Sequence, residues 1–164
     1  MEVKTTSIRM HGLIVLFDLH TGFYHSAIAG ITDEDAAKRL DTKANHVAWL
    51  AGSLVEERYE LAKIFGKDLE SATHSLFADH QGIKDGVQYP SLKSYAEDWD
   101  KITPILRAEL IKATDEELDK VLTFPGMSFP VYEMVSFDSY REANCIGQIA
   151  LWRRLLGYDP INYM

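Results

Sequence analysis

Four long stretches of helical periodicity constrain this chain more than any other feature. In each, apolar residues recur every three or four positions, and glycine, proline or a capping residue stands near the ends. The first runs from about Ser7 to Ala29. It carries Leu13, Leu16, Phe17, Leu19, Phe23, Tyr24, Ala27 and Ile28, and Gly30 follows as a stop. The second runs from about Lys43 to Phe65 and presents His46, Trp49, Leu50, Ser53, Leu54, Glu57, Leu61 and Ile64 before Gly66. The third runs from Ser91 to about Ala113, with Leu92, Tyr95, Trp99, Ile102, Leu106 and Leu110 inward and Pro104 placed to kink it. The fourth runs from Val131 to about Leu156 and stops at Gly157. A helix with one apolar stripe must bury it against another element. Four of them in one chain predict an all-α fold, a four-helix bundle.

The connecting segments agree with that fold. Thr32-Asp-Glu-Asp and Thr114-Asp-Glu-Glu read as capped short turns of helix. Lys67 to Pro90 is polar and glycine-spaced, and long for a bundle loop. Such loops are functional lids or partly disordered, and this one reads as the bundle's long crossover connection. Thr123 to Pro130 is a turn-rich break with a short extended piece. No repeat, low-complexity tract or linker divides the 164 residues, so one domain over 1–164 is expected.

Charge and cysteine content narrow the function. A net charge of -8 disfavours nucleic acid, whose phosphates need a basic surface. It leaves room for a small anion held by a single arginine. One cysteine builds neither an internal disulfide nor a thiolate cage, which points to a reducing compartment. Met1 to Ser7 lacks the basic and apolar run of a signal peptide. The apolar run Gly12 to Phe17 is broken by Asp18 and His20, far short of a membrane span. A cytoplasmic protein with no membrane partner is expected.

Chemistry in such a fold needs polar side chains pointing inward from facing helices. The fourth helix offers Arg141, Glu142, Cys145 and Gln148, with Arg141 and Cys145 one turn apart on one face. The second offers His46 and Ser53, two turns apart. Arg141 has two readings: an ion pair with Asp138, Glu56 or Glu57, or the anchor of an anion pocket. Cys145 is either an inert buried thiol or a nucleophile activated by Arg141. His46 is a base or ligand, or else it bonds a backbone group near the start of its helix. His20 and His25 are five apart, the wrong spacing for one face, and His74 and His80 fall in the connection, where solvent is the default. Glu56-Glu57 and Asp115 to Glu117 read as solvated faces, and Gly52 and Gly147 as points of close helix approach. Gln148 is placed to satisfy buried groups. No phosphate-binding glycine loop, Gly-x-Ser-x-Gly, His-Glu-x-x-His or Cys-x-x-Cys is present.

Asn45-His-Val-Ala-Trp-Leu-Ala-Gly52-Ser53 and Arg141-Glu-Ala-Asn-Cys145-Ile-Gly-Gln-Ile, closing on Arg153-Arg-Leu-Leu-Gly157, resemble the DinB-like (damage-inducible) superfamily. That group includes thiol-dependent S-transferases and a mycothiol-dependent maleylpyruvate isomerase. The resemblance covers nearly the whole chain and implies a four-helix bundle with zinc, nickel or iron on three histidines. By this matching the three ligand positions are Ser53, Arg141 and Cys145, so the family metal and any cofactor are expected to be lost. The leading expectation is a metal-free member that keeps an inter-helix pocket for a small anion, with Arg141 as anchor and Ser53, Cys145, His46 and Glu142 around it. The rivals are a metal- or thiol-dependent S-transferase or hydrolase, and a non-catalytic homodimeric interaction protein.

Overall fold

The structure, a computed structural model, describes residues 4–163 apart from the side chain of His80. The stretch read for a leader therefore begins outside the described residues. The chain is mostly helical: α1 (Met10–Ile28), α2 (Asp33–Ala36), α3 (Val47–Ile64), α4 (His74–Phe77), a 3-10 turn (Ala78–His80), α5 (Leu92–Lys112), α6 (Asp115–Leu118) and α7 (Val131–Leu155). A two-stranded antiparallel hairpin, β1 (Val121–Phe124) and β2 (Met127–Pro130), leads straight into α7. It is the extended piece expected before the fourth helix. Gly126 supplies the positive φ of its turn, +83°. No helix among the described residues is long and apolar enough to cross a membrane.

Local chemistry sets the helix ends. Ser91 Oγ accepts from the Ser94 amide and starts α5. Thr114 and Glu117 cap each other reciprocally at α6. At α3 the cap is His46, whose Nδ1 accepts from the Trp49 amide at 3.0 Å. The helix thus begins at Val47, four residues later than the periodicity predicts, because the imidazole satisfies an orphan N–H from outside.

The four long helices pack in a ring, α1 on α7, α7 on α3, α3 on α5 and α5 on α1. Ile14, Tyr24, Leu50, Leu54, Trp99, Ile102 and Leu106 fill the centre. Tyr24 stacks on Trp99 with ring centroids 4.1 Å apart. Phe77 of the α3–α5 connection and Tyr95 of α5 press against α3 at Gly52. A Cβ there would stand 2.6 Å from Phe77 Cζ, so this glycine is the close approach that the sequence predicts.

Three expectations are corrected here. Gly147 faces open space, since a Cβ added there would meet nothing within 4 Å. Gln148 is exposed and donates to Asn144, one turn back, so it satisfies no buried group. Glu56 and Glu57 are not a solvated face: Glu56 is 6% exposed, and the Glu57 side chain 12%. Both point into contacts with other elements, which their charge alone does not reveal.

Candidate functional site

Glu57 and Arg58 on α3 meet Arg141 and Glu142 on α7 in two adjacent rungs of opposite polarity. Their sequence spacing is identical, 84 residues in each rung. The side chains leave α3 in neighbouring directions, so the two rungs enter different surroundings.

The Arg58–Glu142 rung is fully enclosed. Arg58 Nε donates to Glu142 Oε1 at 2.6 Å, and Nη2 to Oε2 at 3.1 Å. Nη1 donates to Thr21 on α1 and to Thr103 on α5, at 3.1 and 2.6 Å. The guanidinium lies over Trp99 at 3.4 Å and Phe17 at 3.9 Å. His20 Nδ1 stands 3.2 Å from Glu142 Oε2. Burial pushes the Glu142 carboxyl up, but Arg58 and His20 outweigh it and hold its pKa below the ordinary value. This network ties all four long helices together. Among its charged members Glu142 alone is a candidate site residue from sequence. A long cationic side chain gives no periodic signal that it is buried, and Arg58 was missed.

The Glu57–Arg141 rung is looser. Arg141 Nη1 donates to Glu57 Oε2 at 2.5 Å, and its side chain remains 28% exposed. The pairing reading of Arg141 is thus met, with Glu57 as partner. Asp138, one turn earlier on α7, lines the same small cavity as Glu57, and the two carboxyls act on each other's charge. Burial raises the pKa of Asp138 to about 9, and the neighbouring Glu57 charge contributes to the rise. Burial raises Glu57 as well, against the pull of Arg141. Each buried carboxyl opposes ionisation of the other.

Of the other sequence candidates, Ser53 Oγ donates to the Leu50 carbonyl at 2.9 Å within its own helix. Cys145 is buried, and burial pushes its thiol pKa up despite Arg141 alongside. His46 caps α3 and stacks edge-on with Tyr89, away from the rungs. A cavity of about 20 Å³ lies against Glu57, Arg58, Asp138, Ser139 and Glu142. It has room for one water, and a small-molecule pocket needs about 300 Å³ or more. Of the five candidates only Glu142 lines it. The space between α3 and α7 is filled by paired side chains.

Ser53, Arg141 and Cys145 do not fit a divalent cation. The arginine carries a charge of the wrong sign and no lone pair. The serine hydroxyl is committed to a backbone carbonyl, and the thiol is held protonated by burial. Donors of the right kind converge elsewhere. Glu56 and Glu60 on α3 and His74 at the start of α4 bring three ligand atoms within 4.8 Å of one another. His74 Nδ1 lies 2.5 Å from Glu56 Oε1, and Ser71 Oγ donates to Glu56 Oε2. His74 is therefore not a free surface residue of the connection. No protein-family model and no curated protein matches the chain.

Proposed function

We propose that this chain is a DinB-like four-helix bundle that has exchanged a three-histidine metal centre for a charged pair. In this reading it binds small anions, carboxylates or phosphate, at the exposed edge of Arg141. The ring order of the four long helices and the crossing connection support the bundle. The donor chemistry of Ser53, Arg141 and Cys145 supports a site without metal at that position.

One observation carries the anion reading: Arg141 spends one N–H on Glu57, and no second hydrogen bond from its guanidinium is found among the described residues, although the Asp138 charge also acts on it. Arg58 spends its donors on Glu142, Thr21 and Thr103. A guanidinium has five N–H groups in a planar fork, suited to a two-oxygen acceptor. With 28% of the side chain exposed, such an acceptor reaches Arg141 from solvent without a deep pocket. Cys145 as a nucleophile has less support, because its thiol is buried and its pKa raised.

Thermal unfolding in sodium acetate and in sodium phosphate, at fixed ionic strength, tests the proposal. The expected result is a rise in Tm with anion concentration that vanishes in Arg141→Gln and is partly kept in Arg141→Lys. Equal rises in wild type and Arg141→Gln, or none in wild type, overturn it.

A further inference from the structure

We propose that Glu56, Glu60 and His74 form a binding site for a divalent transition metal of the zinc class, one that clamps the α3–α5 connection onto α3. The site is separate from the Arg141 rung and uses none of its residues. Its donors come from two elements. Glu56 and Glu60 are one turn apart on α3 and share a face, while His74 opens α4 within the connection. Their ligand atoms lie within 4.8 Å of one another. Two donors at about 2.1 Å from one ion lie at most about 4.2 Å apart. To close on an ion, His74 Nδ1 and Glu56 Oε1, now 2.5 Å apart, must open to about 3.4 Å, and Glu60, half exposed and paired with Lys63, must draw in by about an ångström.

Burial and charge point the same way. The Glu56 side chain is 8% exposed, and among the described residues no lysine or arginine comes within ion-pair distance of it, Lys63 acting only from farther off. A buried carboxylate needs a cation: without metal only a protonated His74 is near enough among the described residues, and a bound ion would take the place of that proton. Ser71 Oγ holds the second Glu56 oxygen and so aims the first at His74. Glu70 stands 4.0 Å from His74 Nε2, the ring nitrogen that faces away from the ion, and would have to approach by about 1 Å to accept its N–H. Metal-bound histidines characteristically donate their other N–H to such a carboxylate. Glu56, Glu60 and Glu70 face a single lysine, Lys63, which pairs with Glu60. With a neutral imidazole the neighbourhood carries excess negative charge. One imidazole and two carboxylates, with further positions open to water, suit zinc, nickel or cobalt better than magnesium or calcium, which prefer oxygen alone.

Equilibrium dialysis of chelator-treated full-length protein against zinc chloride, with magnesium chloride as comparison, tests the site. One equivalent of zinc is expected, with no stoichiometric magnesium. Affinity should fall at least tenfold in His74→Ala and in Glu60→Gln; both side chains are partly exposed, so the fold should survive their replacement. Zinc should also slow proteolysis within residues 67–90 in wild type and leave it unchanged in His74→Ala. The proposal is overturned by absence of stoichiometric zinc, by equal zinc affinity in His74→Ala, or by cleavage that zinc does not slow.

Discussion

Arg58–Glu142 and Glu57–Arg141 are neighbouring rungs between the same two helices, with the same spacing and reversed charges. One is enclosed on every side and the other opens to solvent. In the first, every strong polar group of the pair has a partner, drawn from α1, α3, α5 and α7. In the second, two buried carboxyls, Glu57 and Asp138, raise each other's pKa, and an arginine keeps unused donors at the surface. The comparison teaches that an ion pair's role follows from its surroundings and not from its composition. A saturated buried pair holds helices together, whereas an unsaturated, partly exposed one leaves donors facing solvent.

Breaking the enclosed rung should have the largest effect. Arg58→Met leaves Glu142 buried without its cation, and urea unfolding should show a loss of about 3–5 kcal/mol. The double variant Arg58→Met with Glu142→Met should recover much of that loss, since a buried pair replaced by apolar groups is often near neutral. If the single variant costs less than Arg141→Met, the ranking of the rungs is reversed.

Arg141→Met should cost less, about 1.5–3 kcal/mol, the range for one charge-assisted hydrogen bond. Glu57 then has Asp138 and solvent to fall back on. The same variant should abolish the anion-dependent rise in Tm, which Arg58 variants that still fold should retain. A retained rise in Arg141→Met would break the functional half of the comparison.

The open rung should also leave a pH signature. Burial and the Glu57 charge raise the folded pKa of Asp138 well above its unfolded one, so the native state holds more protons between the two values. Stability from this group is full below the ordinary carboxylate pKa of about 4 and declines as pH rises through the folded value. Urea midpoints measured across that range should fall with pH in wild type, and Asp138→Asn should flatten the decline. A slope unchanged in the variant would remove Asp138 from the rung's proton balance.

The smallest effect concerns reactivity. Burial raises the Cys145 thiol pKa, so iodoacetamide at neutral pH should alkylate the native chain several-fold more slowly than the urea-unfolded chain. Mass spectrometry reads the difference. Equal or faster native alkylation would mean that Arg141 activates the thiol.

Much of the helical framework was legible in the residues. Apolar spacing located α1, α3, α5 and α7 to within a few positions, and Gly52 was rightly read as a close approach. The helix start at Val47 was less legible, because a histidine cap competes with a periodicity that extends before it. The site was legible in part. Arg141, Glu142 and Cys145 do fall on α7 beside the rungs, but Arg58 and Glu56 gave no signal of burial. Glutamate and arginine on a helix usually face water. Only the residue across the gap decides otherwise, and for Arg58 that residue is 84 positions away.

The sequence alone therefore determined the long helices, most of their ends and the poor donor chemistry of Ser53, Arg141 and Cys145 toward a metal, because those depend on local spacing and on single side chains. Tertiary structure decided which charges are buried, which arginine is saturated, and that His74 meets Glu56 across 18 residues. Such contacts depend on how helix faces are turned toward one another. Periodicity constrains that turn for apolar residues and leaves it open for the charged residues beside them.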